Sequence, residues 1–425
     1  MKIIYVFEKR LPYEGDDIKF GYNIFLENGY EIEVWSLAHW LYGWDGDSES
    51  LSGGAKLDNQ SYVRTIRNKE EFLKNITRIT NQECFFLCYP YHGYNGISFF
   101  VRKILFKNNL PFANITLSPY LTGIGNKPVS MTFIRAVFLV FRNFIVRNIY
   151  YFCKWIVSFG RNKKLLQNIK DSGYSFIGYL LYPSVYNFVT TRWMYYSYPN
   201  PLERWSNRNI LICTNSYDEY LQSKAAERVM PERYIVFVDQ GLLSLDNRFI
   251  AQDLEIPIKE KKKYCKDLMR LFEKLEYEYK CPVVIALHPK AAYMGNEFGN
   301  RKMFSNKTPQ LIRDAELVIN QYSTVFGLAM MYKKDILEIY TTELFENYGG
   351  DYRKGYVDYE DMGYKLLNIA EADQVERVKE YIFPYDENVY SKYMDVLIKS
   401  DGSIAEDKTF YQYVYDYIDK WRKDK

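Results

Sequence analysis

The sequence predicts an α/β fold in which two parallel sheets, each covered by helices, belong to two domains. The chain has 425 residues, which is more than one ordinary hydrophobic core accommodates. Apolar residues make up 48% of the chain, which is enough for complete cores. In both halves, short apolar runs of strand length alternate with longer segments of helical period, as in proteins whose parallel strands are joined by helices.

The first half alternates strand and helix as far as residue 117. The predicted strands are 3–7, 31–36, 84–89 and 112–117, and the predicted helices are 18–28, 68–79 and 96–108. Gly29 follows the first of these helices, at a position where glycine commonly ends a helix. From residue 131 to 164 the sequence is basic, apolar and aromatic, and we interpret it as one or two further helices.

The second half repeats the alternation. Its predicted strands are 209–214, 233–238, 282–287, 317–321 and 336–340, and its predicted helices are 218–228, 259–279, 325–332, 370–381, 387–399 and 407–423. We therefore expect a first domain at 1–205 with a basic aromatic helical insertion at about 126–200, a second domain at 206–385, and C-terminal helices at 386–425 that can pack back on the first domain.

Charge is distributed unevenly, although the formal net charge is only +3. Residues 84–170 contain lysine and arginine but no aspartate or glutamate. Between 135 and 154, basic residues recur every five to seven positions among aromatic and aliphatic ones, a pattern that suits a helix lying on an anionic membrane surface. A solvated basic face is the alternative, and the balanced total charge disfavours nucleic acid as a partner.

Several other functions are disfavoured by the sequence. The N-terminus enters a strand pattern without a signal-peptide core, and no run of about 18 uncharged apolar residues predicts a transmembrane helix. The six cysteines are scattered, which argues against a zinc site or a disulfide framework and fits a reducing cytoplasm. No phosphate-binding loop of an ATPase and no dinucleotide fingerprint occurs. Asp45 and Asp47 form a DxD in a polar, glycine-rich stretch that we interpret as an exposed loop.

Two segments after predicted strands carry candidate functional residues. His288, one of three histidines, is followed by Pro289 and Lys290, and Ser323 and Thr324 lie where the next helix should begin. Carboxyl ends of strands are where open α/β sheets bind ligands. An imidazole beside a lysine can neutralise a phosphate, and hydroxyls at a helix start can bind one. A structural histidine and a simple helix cap are the alternatives.

A third segment, Asp239-Gln240-Gly241, ends the strand predicted at 233–238. The carboxylate of Asp239 could take a proton from an acceptor hydroxyl. A simple turn is an equally good interpretation, because aspartate and glycine are common turn residues.

These three elements, in this order, resemble the pattern of bacterial GT-B glycosyltransferases that use CMP-activated acidic sugars. That group includes sialyltransferases, capsule polysialyltransferases and, more distantly, capsule Kdo transferases. The resemblance covers roughly residues 233–340, and the segment from Ser323 to Tyr332 is similar to a Ser-Thr-Val-Gly-type segment of the capsule enzymes. It implies a GT-B fold, with two Rossmann-like domains facing a cleft.

The resemblance also implies residue roles. Asp239 would be the general base for the acceptor hydroxyl, and His288 would contact the CMP phosphate and assist its departure. Ser323 and Thr324 would bind that phosphate, with Pro289, Lys290 and Gly241 completing the nucleotide site. Neither a metal nor a cofactor would be required. The partners would be a CMP-sugar, a glycan or lipid-linked glycan acceptor, and the inner face of the bacterial plasma membrane.

One position departs from the pattern, because the family often has a second carboxylate where this chain has Gln240. Gln240 favours the alternative of a non-catalytic, GT-B-like binding protein of surface-glycan assembly. The His-Pro and serine-rich elements also occur in the CDP-glycerol glycerophosphotransferases of teichoic-acid synthesis, which are a further alternative. The function that we predict is transfer of an acidic sugar to a hydroxyl of a capsule or lipopolysaccharide glycan.

Overall fold

The computed structural model describes most of the chain outside its basic aromatic segment. The described residues are 1–8, 20–42, 61–80, 82–89, 96–116, 182, 184–190, 209–213, 215–243, 258, 260–288, 297–321, 323, 325–344, 363–394 and 408–425.

The first sheet contains seven parallel strands. In chain order they are β1 (Lys2–Phe7), β2 (Glu31–Ser36), β3 (Val63–Thr65), β4 (Cys84–Tyr89), β5 (Phe112–Thr116), β6 (Tyr186–Thr190) and β7 (Asn209–Ile212). Their order in the sheet is β3-β2-β1-β4-β5-β6-β7, the order of a Rossmann-like sheet with one strand added. The central strand β1 is almost entirely buried, because helices cover a parallel sheet on both faces.

In the described part of the chain, four helices accompany these strands. They are α1 (Tyr22–Glu27), α2 (Ala38–Tyr42), α3 (Lys69–Ile79) and α4 (Gly96–Lys107). The side chain of Asn68 accepts a hydrogen bond from the N–H of Glu71 and thereby caps α3 at its predicted start. Gly29 follows α1 with a φ of 78°, which explains why a glycine ends this helix.

Two strands of the first sheet differ from the sequence analysis. Tyr186–Thr190 (β6) lies inside the segment predicted as a helical insertion, and Asn209–Ile212 (β7) was assigned to the second unit. β6 pairs with β5 on one side and β7 on the other, so the first sheet extends to residue 212. The aromatic and β-branched residues of β6 favour a strand. Apart from 182, 184 and 185, the rest of the predicted insertion, including 131–164, lies outside the described residues.

The second sheet also has seven strands. They are β8 (Ile235–Val238), β9 (Val283–Ala286), β10 (Met303–Phe304), β11 (Leu317–Asn320), β12 (Ile336–Tyr340), β13 (Leu367–Asn368) and β14 (Ile382–Phe383). The order is β10-β9-β8-β11-β12-β13, and β14 pairs with β12 in the antiparallel direction. The six parallel strands reproduce the Rossmann order, with β8 as the first strand of the unit.

The remaining helices pack on the second sheet or return to the first. They are α5 (Asn215–Lys224), α6 (Lys261–Tyr279), α7 (Thr308–Asp314), α8 (Phe326–Met331), α9 (Ala372–Glu376), α10 (Glu387–Tyr393) and α11 (Phe410–Lys423). One face of α6 buries Leu268, Leu271 and Phe272 against the side chains of β8, β9 and β11 that point to the same side of the sheet. These contacts explain why α6 forms over all but the first two residues of the predicted span.

The terminal helix α11 crosses back to the first sheet, as the sequence analysis allowed. The hydroxyl of Tyr30 donates to Asp419 at 2.9 Å, and the hydroxyls of Tyr89 and Tyr411 lie 2.8 Å apart. At the start of α11, the N–H of Phe410 donates to the carboxylate of Asp218 on α5. The predicted α/β fold class, with two Rossmann-like sheets and C-terminal helices, is confirmed.

Candidate active site

The carboxyl ends of three neighbouring strands bring together Asp239, His288 and Ser323. Asp239 follows β8, His288 follows β9 by two residues, and Ser323 follows β11 by three. In the sheet, β8 lies between β9 and β11. The strand order reverses between β8 and β11, and open α/β sheets bind their ligands at such a switch point. The topology therefore confirms that the predicted segments share one edge of the second sheet.

The Asp239 carboxylate joins two of the loops at this edge. The side chain is only 5% exposed. Its Oδ1 accepts a hydrogen bond from the N–H of Gly241 at 3.0 Å, and its Oδ2 accepts one from the N–H of His288 at 3.1 Å. Gly241 has a φ of 67°, a left-handed conformation that glycine adopts without strain. Asp239 thus fixes the position of the His288 backbone, which a sequence motif alone does not reveal.

The side chains of His288 and Ser323 are positioned by the backbone of the segments in which they lie. The imidazole of His288 is half-buried at the end of β9. Ser323 is buried, and its Oγ accepts a hydrogen bond from the N–H of Val325 at 3.3 Å. Its carbonyl oxygen accepts the N–H of Phe326, the first residue of α8. Ser323 therefore forms a turn just before α8, whose N-cap residue is Val325 and which has no side-chain cap, so Ser323 does not act as the helix cap that the alternative interpretation expected.

The remaining predicted site residues are only partly described. Gly241 lies in the loop that Asp239 closes, whereas Thr324, Pro289 and Lys290 lie outside the described residues. The roles given to these three residues stay predictions. α8 has six residues, so it is shorter than the helix predicted at 325–332.

Two buried polar pairs at the same edge were not singled out from the sequence. Asn320 Nδ2 donates to Glu338 Oε2 at 2.7 Å, joining β11 to β12. The hydroxyl of Tyr264 on α6 donates to Gln321 Oε1, also at 2.7 Å. A polar Asn-Gln pair ending an otherwise apolar strand was the available signal. Asparagine and glutamine side chains are mostly exposed, and those that are buried usually make hydrogen bonds.

The groups relevant to metal and thiol chemistry are the cysteines and the other residues that could bind a metal in the described part of the chain. Within it, no group of three or more histidine, cysteine, aspartate or glutamate side chains could hold a metal ion. The DxD at 45–47 lies outside it. The five described cysteines are free thiols, and burial raises the pKa of Cys84 to about 11. Among the described helices, none has the length and apolar character needed to cross a membrane.

Replacing Asp239 by asparagine is expected to lower the free energy of unfolding by about 1–3 kcal/mol. An amide has one acceptor oxygen, so its NH₂ group must face either the Gly241 N–H or the His288 N–H. Urea unfolding measures the loss. Asp373→Asn is the control, because Asp373 is 69% exposed in its ion pair and should contribute little.

Equal stability of Asp239→Asn and the wild-type protein would contradict the anchoring role. If the loss occurs, reduced activity of this variant cannot identify the general base, because the position of the His288 backbone changes as well.

No protein-family model matches this sequence, and no curated protein matches it. Among solved structures, the UDP-GlcNAc 2-epimerase from Methanocaldococcus jannaschii is similar at 13% identity, with a TM-score of 0.47, over 92% of this chain and 96% of that chain. A variant of the wall teichoic acid polymerase TagF is similar at 12% identity, with a TM-score of 0.48, over 100% of this chain and 89% of that chain.

The glycotransferase of kitacinnamycin is similar at 11% identity, with a TM-score of 0.45, over 92% of each chain. At these identities and TM-scores, such likenesses identify neither a substrate nor an activity.

Proposed function

We propose that this protein is a glycosyltransferase that moves an acidic sugar from a CMP donor to a hydroxyl of a bacterial surface glycan. The observation that carries the proposal is the meeting of Asp239, His288 and Ser323 at the switch point of the second sheet. A nucleotide binds naturally at such a point. The Ser323 hydroxyl and the half-buried His288 imidazole are groups that can contact a phosphate there.

The reaction would join the acceptor oxygen to the anomeric carbon of the sugar and break the bond from that carbon to the phosphate oxygen. CMP leaves with the bonding electron pair. His288 and Ser323 would stabilise the negative charge that develops on its phosphate, a contribution that fixed polar groups make efficiently. The acceptor hydroxyl gives up its proton to a base. Asp239 is the base that the resemblance implies, although two backbone N–H groups already occupy its carboxylate.

A second candidate is transfer of glycerol phosphate from CDP-glycerol. The same site would serve it, because His288 and Ser323 would stabilise a cytidine-nucleotide leaving group in either reaction. In this case the acceptor oxygen would attack the phosphorus that bears the glycerol, its proton would pass to a base, and CMP would leave with the electrons of the broken phosphorus–oxygen bond. A protein that binds the nucleotide without turnover would instead be the non-catalytic alternative suggested by Gln240.

The acceptor and the cellular location belong to the same proposal. A lipid-linked glycan acceptor would place the protein at the cytoplasmic face of the plasma membrane. The basic aromatic stretch would hold it on anionic lipid, through residues that lie outside the described part of the chain. Absence of binding to anionic vesicles at low salt would remove the membrane component and leave the transfer reaction untouched.

A nucleotide screen is the first test. CMP is expected to raise the thermal stability more than UMP, UDP, GDP or ADP, because a ligand that binds only the folded protein stabilises it by about 2.7 kcal/mol at a hundred times its Kd. Turnover is then assayed with CMP-activated acidic sugars and with CDP-glycerol. Selective stabilisation by UDP or GDP would overturn both cytidine-nucleotide candidates.

His288→Ala is expected to reduce turnover by about 100- to 1000-fold, and Ser323→Ala by about tenfold or more. Each removes a group that meets the charge on the departing phosphate. Thr77→Ala is the matched control, since its hydroxyl is exposed on α3 and bonds only to Leu73. Full activity of both site variants would rule out the assigned roles, provided that each variant unfolds as the wild-type protein does.

A further inference from the structure

Gln321 occupies the switch point itself. It follows β11 directly, and its side chain has no exposed surface. Leu317 and Ile319 of β11 point to the α6 side of the sheet, and alternation places Gln321 on that side as well. Its contact with Tyr264 of α6 agrees with this placement. The same alternation in β8 puts Asp239 on the α6 side, on the neighbouring strand.

Only half of the Gln321 amide has a partner. Oε1 accepts a hydrogen bond from the Tyr264 hydroxyl at 2.7 Å, which fixes the orientation of the amide. Nε2 is buried and has no hydrogen-bond partner among the residues that the structure describes. A buried donor without a partner is unfavourable and therefore rare in native proteins, where it calls for a specific explanation.

The preceding residue, which is the last of β11, has an unpaired acceptor instead of an unpaired donor. Asn320 donates through Nδ2 to Glu338, but its Oδ1 is buried without a partner in the described part of the chain. Two consecutive residues at the carboxyl end of β11 thus retain unused hydrogen-bonding capacity. Packing inside a core does not require such a pair, whereas a site that completes its hydrogen bonds on binding a ligand does.

We propose that Gln321 is a nucleotide-binding residue and that its Nε2 donates to an oxygen acceptor of the bound cytidine nucleotide. The inference rests on the proposed function and assigns one of its contacts. The acceptor is either the carbonyl oxygen of the pyrimidine or a phosphate oxygen, since both present a lone pair to an amide N–H. Tyr264 is a positioning residue, because it orients the amide through Oε1.

The test uses Gln321→Met, which keeps the length of the side chain and removes its polar atoms. If Gln321 binds the nucleotide, the affinity of Gln321→Met for CMP should fall about tenfold, which is the effect of losing one hydrogen bond. The free energy of unfolding without ligand should stay the same or rise, because the unpaired donor disappears. Calorimetric titration measures the first quantity, and urea unfolding the second.

Gln310→Met is the matched control. Gln310 on α7 also has a buried amide atom, Oε1, without a partner among the described residues, but the next residue, Leu311, accepts a hydrogen bond from the Tyr234 hydroxyl at the opposite, amino end of β8. Its replacement should leave affinity for CMP unchanged. Tyr264→Phe should weaken CMP binding and also lower stability, because it frees Oε1 and loses a buried hydrogen bond.

Titrations with CMP, cytidine and inorganic phosphate separate the two sources of the acceptor. If Gln321→Met binds both CMP and cytidine more weakly than the wild-type protein does, the acceptor is the pyrimidine carbonyl. If it binds CMP and inorganic phosphate more weakly but binds cytidine equally well, the acceptor is a phosphate oxygen. Unchanged CMP affinity of Gln321→Met, whatever its stability, overturns the inference and leaves the proposed function standing. A wild-type protein that binds no cytidine nucleotide overturns both together.

Discussion

Gly21→Ala is expected to lower the free energy of unfolding by about 3–4 kcal/mol, because it adds a methyl group where the terminal helix packs on the first sheet. A Cβ at this position would lie 2.3 Å from Tyr411 Cβ and 2.5 Å from its Cγ. Tyr411 Cβ is attached to the backbone of α11, so it cannot turn away as the end of a flexible side chain could. Gly21 also has a φ of 63°, which is unfavourable for alanine.

The measurement is urea unfolding followed by tryptophan fluorescence, since Trp421 of α11 packs against Phe85 of β4. Gly29→Ala is the matched control. Gly29 has a φ of 78°, but a Cβ there would meet no atom within 4 Å. Gly29→Ala should therefore lower the free energy of unfolding by only about 1 kcal/mol, because of the backbone conformation alone. If both variants lose the same free energy of unfolding, the contact with Tyr411 contributes nothing to the loss in Gly21→Ala.

Most elements near the site were predictable because their sequences are locally consistent. The apolar runs of β8, β9 and β11 each end in polar residues, and this change in character located Asp239, His288 and Ser323 at strand ends. The long amphipathic segment of α6 and the glycine after α1 gave equally clear signals. In each case a local pattern and the tertiary packing favour the same structure.

The elements that escaped prediction depend on partners far away in the sequence. β3, β10 and β13 have two or three residues each, too few to display a period, and they form because a neighbouring strand supplies their hydrogen bonds. The assignment of β7 to the first sheet depends on its pairing with β6. No property of residues 209–212 alone favours one sheet over the other.

At the site, too, the sequence could not predict contacts between single atoms. The sequence indicated that Asp239 ends a strand, but not that its two oxygens accept the N–H groups of Gly241 and His288. The Asn320-Gln321 pair was visible at the end of β11, yet its half-used hydrogen bonds depend on Glu338 and Tyr264. Such contacts require the sheet register and the packing of α6, which a motif does not contain.

Asp218 is expected to make the stability of the protein fall as the pH rises from about 4 to about 8. This carboxyl is 8% exposed on α5 and accepts the N–H of Phe410 at the start of α11. Burial raises its pKa from 3.8 to about 8; the hydrogen bond from Phe410 opposes that rise and the nearby Glu219 adds to it. The folded protein therefore holds a proton that the unfolded chain has already released.

The sign follows from this difference in proton binding. Folding takes up a proton between the two pKa values, so the contribution of Asp218 is complete below about pH 4 and lost as the pH approaches about 8. A pKa difference of this size corresponds to an upper limit of about 6 kcal/mol. Asp218→Asn keeps an acceptor oxygen for the Phe410 N–H and cannot ionise. The variant should therefore be more stable than the wild-type protein at about pH 9 and similar to it at about pH 4.

Urea unfolding of both proteins across this pH range measures the difference. Asp416→Asn is the control, because Asp416 on α11 is 45% exposed and pairs with Lys408, so its replacement should leave the slope unchanged. Equal slopes for Asp218→Asn and the wild-type protein would contradict the prediction. Asp218 would then be ionised when folded, its charge stabilised by the N–H of Phe410 and the dipole at the start of α11. In that case the carboxylate would anchor the terminal helix as a charged cap, and Asp218→Asn would weaken α11 docking at neutral pH.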